Sequence, residues 1–172
     1  MNRILFNSNV IYIFALLHIL LFSYAAASKL LDFQNFQVQL GQSPLLNAVA
    51  VAVSFAVPLV EFILVLLLLF SKFRLIGLYG SFVLITMFSA YIIIILNFSS
   101  FTPCSCGGIL EKMSWTEHLV FNIVFVLLSA LGVILKSTTK YVYGFLSILI
   151  ISGIAIIAAL FLMSEDIIQH LQ

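Results

Sequence analysis

Long apolar runs separated by short polar interruptions dominate this chain, and none shows the every-second-residue alternation of a half-buried strand. The runs extend from Val10 to Ala27, Leu46 to Phe70, Leu75 to Leu96, Leu119 to Leu135 and Tyr141 to Met163. Each approaches the ~20 residues that a helix needs to cross ~30 Å of hydrocarbon. Backbone groups in lipid must be satisfied internally, so spanning segments are helices or strands of a closed barrel. The unbroken stretches Leu66 to Leu69 and Ile92 to Leu96 lack a barrel's alternation. The pattern therefore predicts an all-α polytopic bundle of about five transmembrane helices, in a single domain over residues 1–172. The fourth run is the shortest clear one, and the amphipathic stretch Trp115, Thr116, Glu117, His118 lets its helix begin near Ser114. Between the first two runs, Phe33 to Leu45 sets four glutamines among apolar positions, the pattern of a short interfacial helix ending before Pro44.

Composition strengthens this picture. Hydrophobic residues make up 64% of the chain and charged residues 8%, with a mean hydropathy of +1.28, so most of the surface must meet a lipid bilayer rather than water. A net charge of +1 leaves no basic stripe to neutralise phosphates, which excludes nucleic acid as a partner.

The placement of charge sets the orientation. Arg3, Lys72, Arg74, Lys136 and Lys140 fall on one side of the predicted membrane, the side that the positive-inside rule assigns to the cytoplasm. The other side holds Lys29 and Lys112 with Asp32, Glu111, Glu117, Glu165 and Asp166. The N-terminus is thus expected inside and the C-terminus outside. Ala25-Ala26-Ala27-Ser28 after the first run resembles a signal-peptide cleavage site, but an apolar run nearer 18 residues than 10 favours an uncleaved span. The sidedness of the later loops is the same in either case.

Candidate chemistry centres on Cys104 and Cys106 in Pro103-Cys-Ser-Cys-Gly-Gly108, a loop on the expected outer side, where thiols tend to be oxidised. Fully extended, the two alpha carbons would lie roughly 7 Å apart, at the limit for a disulfide, so the chain must curl to close one. Gly107 and Gly108 permit that curl. So small a ring stores strain and constrains the unfolded chain little, which favours an exchangeable couple over a structural staple. Two alternatives stay open: a Cu(I) site with Met113 or His118 as further ligands, and an ordinary loop disulfide or unreactive thiols.

Polar residues inside the spans form a second group of candidates. Glu61 lies within the second run, at an insertion cost of about 3 kcal/mol unless paired or turned inward. Asn47, Ser54, Pro58 and Glu61 recur at helical spacing and are expected on one protein-facing side. His18 falls in the first span and would meet Glu61 if the two helices are neighbours at matching depth. His118 and Asn122 share a face at the outer end of the fourth span, where His118 could tune a thiol or simply face headgroups. Lys29 and Asp32 are spaced to pair at the surface, and Trp115 sits where an interfacial anchor belongs.

The Pro103 to Gly108 loop, followed by Leu110-Glu111 and by Trp115 to Asn122, resembles the methylamine-utilisation MauE family within the DoxX-like membrane proteins. So do Tyr24 to Asp32 and Pro58-x-x-Glu61. The resemblance implies a four-helix core plus one helix in a bacterial inner membrane. It implies a role in maturing a disulfide-rich periplasmic dehydrogenase subunit, in concert with a thioredoxin-like partner. Cys104 and Cys106 match the family's cysteine motif, whereas no role transfers to Glu61 or His18. Thiol/disulfide handling is the leading expectation, set against a transporter or assembly factor that depends on Ser54, Pro58 and Glu61. No quinone pocket is legible in the sequence, so no cofactor or metal is assigned.

Overall fold

A computed structural model describes residues 2–43, 45–98 and 114–136. The chain divides into two compact units, Met1–Lys136 and Ser137–Gln172, and the described residues all belong to the first. The expected fifth span, Tyr141 to Met163, lies outside the described residues, as do Cys104 and Cys106.

The described part is all-helical, with α1 at Asn2–Leu31, α2 at Phe33–Gln42, α3 at Ala50–Leu69, α4 at Arg74–Phe98 and α5 at Trp115–Lys136. A 3₁₀ turn, Asn47–Val49, leads into α3. Four segments, Asn9–Leu31, Asn47–Leu69, Arg74–Asn97 and Trp115–Lys136, are long and apolar enough to cross a membrane. At most 39% of the apolar window of any of them is buried within the protein, so the remainder is a surface suited to lipid. This is a polytopic helical membrane protein. Helix α5 begins one residue after Ser114, as the amphipathic stretch suggested. Ser114 and Glu117 form a reciprocal cap there: the Ser114 N–H donates to Glu117 Oε2 (2.8 Å) and the Glu117 N–H to Ser114 Oγ (3.3 Å).

The spanning helices form a ring in which α1 packs on α3 and α5, and α4 packs on the same two, leaving α3 and α5 diagonally opposed. Apolar surface alone does not drive association in lipid, so small residues at the seams matter. A Cβ added at Gly77 would lie 2.9 Å from the Leu68 side chain and 3.1 Å from its backbone nitrogen, which shows how closely α3 and α4 approach. Gly132 admits Leu78 in the same way between α5 and α4. Ala15, Ala26, Ser54, Ser81 and Ser129 are likewise buried.

Helix α2 is the short amphipathic element anticipated between the first two spans. Phe36 and Leu40, four apart, are buried with Ala50 against Val53 and Val57 of α3, while Gln34 and Gln42 are exposed. The hydroxyl of Tyr91 on α4 donates to Ser43 Oγ (2.9 Å), fastening the end of α2 to the bundle. At the other end of the bundle the basic residues gather. Lys136 Nζ donates to the Ser71 carbonyl (3.0 Å), Arg74 Nε donates to the Leu68 carbonyl (3.3 Å), and the Arg74 guanidinium lies 5.3 Å from the Tyr12 ring. The two ends therefore differ in charge, as the sequence pattern required.

Candidate functional site

Running from the α2 end to the basic end, the stripe Ala50, Ser54, Pro58, Glu61, Leu64, Leu68 is the buried face of α3. Steps of three and four keep these residues on one side of the helix. Pro58 has no N–H, so the Ser54 carbonyl lacks its usual intrahelical donor, an arrangement tolerated in membrane helices that are supported by neighbours. The Ser54 hydroxyl donates to the Val51 carbonyl (2.7 Å). Asn47, expected on the same face, is exposed because the α-helix starts only at Ala50.

Glu61 is paired, but not with His18. Lys29 Nζ lies 2.7 Å from Glu61 Oε1, with side-chain exposures of 14% and 7%, so the pair is largely desolvated. Lys29 also donates to the Ala25 carbonyl (3.2 Å) and sits 5.9 Å from the centre of the Phe36 ring. The expected partner, Asp32, instead accepts from Asn35 Nδ2 (3.0 Å) at the surface. The preference is electrostatic: a buried carboxylate gains far more from an ammonium than one that water already solvates.

His18 is fully buried and ties α1 to α5. Its Nδ1 is 2.8 Å from the Phe14 carbonyl, and its Nε2 is 3.0 Å from Ser129 Oγ and 3.3 Å from the Phe125 carbonyl. Both ring nitrogens face a carbonyl that can only accept, and a neutral ring donates from one nitrogen alone, while the Ser129 hydroxyl donates to the Phe125 carbonyl (2.5 Å).

Toward the α2 end lies a partly open cavity of about 260 Å³ lined by residues of α1, α2, α3, α4 and α5. Its walls are mostly apolar, with Phe22, Phe36, Phe88 and Phe121 among them, and the polar groups come from two sides. Lys29 and Glu61 contribute from α1 and α3, His118 and Asn122 from α5. His118 and Asn122 are 4% and 6% exposed, yet both His118 ring nitrogens, Asn122 Nδ2 and Glu61 Oε2 have no hydrogen-bond partner among the described residues. The His118 ring is held edge-on to Phe88, with centroids 5.9 Å apart at 80°, and lies 6.4 Å from the Trp115 ring.

Of the sequence candidates, the structure thus brings Glu61 and His118 to one cavity and sets His18 apart from it. Lys29 and Asn122 complete the polar lining. Lys29 was legible only as a surface charge, because nothing in the sequence shows that α1 and α3 are neighbours.

Residues 7–135 match the family model described as methylamine utilisation protein MauE. No curated protein and no solved structure gives a match.

Proposed function

The chain belongs to the methylamine utilisation protein MauE family, and from that premise we propose that it handles thiols and disulfides at the periplasmic face of a bacterial inner membrane, with Cys104 and Cys106 as the exchanging couple. The observation that carries this reading is the position of the pair in the chain. In the sequence it falls between the C-terminus of α4 and the cap of α5, and those two helix ends lie on the end of the bundle away from the Arg74 and Lys136 contacts. By the positive-inside rule that end faces the oxidising compartment. Cys106 is eight residues from Ser114, so the chain between them reaches at most about 28 Å.

The exchange is with a soluble thioredoxin-like protein. A cysteine thiolate attacks the partner's disulfide, forming a mixed disulfide and releasing one partner thiolate. The second cysteine attacks the mixed bond, leaving a Cys104–Cys106 disulfide and a reduced partner, with two electrons transferred. The reverse sequence oxidises the partner. Such a couple suits the maturation of a periplasmic disulfide-rich protein, including a methylamine dehydrogenase-like one, and a DoxX-like core carrying an added fifth span suits its anchoring.

The test is the redox state of both thiols in cells, read by alkylation mass shift, together with single Cys104→Ser and Cys106→Ser variants. A reductant-sensitive adduct with a partner in one variant is the expected result. Wild-type partner oxidation in both single variants would end the proposal.

A further inference from the structure

We infer that the cavity between α5 and the Lys29–Glu61 pair binds the flat headgroup of a lipid-soluble para-quinone. Three observations converge. The space, about 260 Å³, falls just below the ~300–1,000 Å³ of pockets for drug-sized ligands and suits one substituted ring. The aromatic walls, among them Phe88 and Phe121, offer stacking and edge contacts to such a ring.

The third observation is the set of unmet polar atoms. Buried polar groups are nearly always satisfied, so four orphaned atoms around one cavity point to an absent partner. Asn122 Nδ2 can only donate, Glu61 Oε2 in its ion pair accepts, and a neutral His118 does one of each. These groups lie on diagonally opposed helices, α5 against α3. A para-quinone carries oxygens at opposite ends of one ring, which accept when oxidised and donate as well when reduced to the quinol. An acyl chain would leave every one of these atoms unpaired. A permanent ion would compete with a Lys29–Glu61 pair that is already neutral overall.

The redox role of this site rests on the thiol reading above. There, a Cys104/Cys106 dithiol and a quinone give the disulfide and the quinol. Two S–H bonds break, one S–S bond forms and two O–H bonds form, so two electrons and two protons pass from sulfur to the quinone oxygens. Binding itself needs no cysteine.

Trp115, the single tryptophan, lies beside His118 and serves as the reporter. Full-length protein carrying Cys104→Ser and Cys106→Ser, in lipid nanodiscs, is titrated with a short-tailed ubiquinone analogue, and Trp115 quenching is followed. The expected result is saturable quenching, weakened at least 10-fold by Asn122→Leu and by His118→Leu. Val120→Ala, on the lipid-facing side of α5, should leave it unchanged. Asn122→Leu should also raise the melting temperature of ligand-free protein, since it removes an unpaired buried amide. A purely structural Asn122 would lower it. An alkylbenzene of the same size without ring oxygens should fail to compete. Non-saturable quenching, quenching as strong as wild type in both leucine variants, or full competition by the alkylbenzene would overturn the site. Saturable binding in protein whose native cysteines nevertheless fail to pass electrons from a thioredoxin-like protein to the quinone would sustain the site and refute the thiol reading.

Discussion

Removing either member of the Lys29–Glu61 pair should cost far more than removing both. At 2.7 Å and an effective dielectric of about 20, the attraction is about 6 kcal/mol. Desolvating each ion costs several kcal/mol in return, which brings the pair close to an apolar pair of similar volume. A lone survivor keeps its desolvation cost and loses its compensation, a penalty of about 3–5 kcal/mol. Lys29→Met should fall in the upper part of that range, because the stranded Glu61 side chain is only 7% exposed. Glu61→Leu should cost less, because Lys29 lies within the last turn of α1 and its long stem can carry the charge towards the interface. The double variant should return to within about 1–2 kcal/mol of the wild type. Reversible unfolding in mixed micelles, run as a double-mutant cycle, gives a coupling energy expected near 3 kcal/mol or above. Single substitutions that each cost under about 1 kcal/mol and simply add would show that water reaches the pair, and the desolvation argument would fall.

At Gly77, a valine would drive its side chain into Leu68 and the α3 backbone, so Gly77→Val should lower stability by about 1–3 kcal/mol. Leu68→Ala in the same background should recover part of that loss in the same unfolding assay. Ser129→Ala removes the hydroxyl that meets His18 Nε2 and should cost about 0.6–1.7 kcal/mol, the range for polar contacts between membrane helices. Hydrogen exchange in the middle of α1 and α5 should rise with it, while quinone binding at the cavity should stay unchanged.

Much of the architecture was legible because lipid simplifies the code. Where every backbone bond must be local, a run such as Leu75 to Leu96 has one outcome, and α4 at Arg74–Phe98 follows it closely. The buried face of Ser54, Pro58 and Glu61 was equally readable from spacing. Asn47 failed the same rule because periodicity carries no meaning beyond the first residue of the helix. Partner choice was the harder problem. Lys29 looked matched to Asp32 by sequence distance, yet the helix ends at Leu31 and the side chain turns to the buried carboxylate on α3. His118 and Asn122 were placed on a common face, but whether that face met headgroups or a cavity depended on α1, α2 and α4, which no local pattern encodes.

The pairing of the first two spans also bears on how the chain enters the membrane. Helix α1 leaves the ribosome before α3, with Lys29 near its end, and α3 follows after a short interfacial segment. A carboxylate arriving alone at the middle of a span meets a barrier of about 2.5–3.5 kcal/mol on insertion scales. Glu61 arrives next to a counter-charge already delivered by the preceding helix, so the two spans favour entry as a hairpin, with the ion pair acting as a latch set during synthesis.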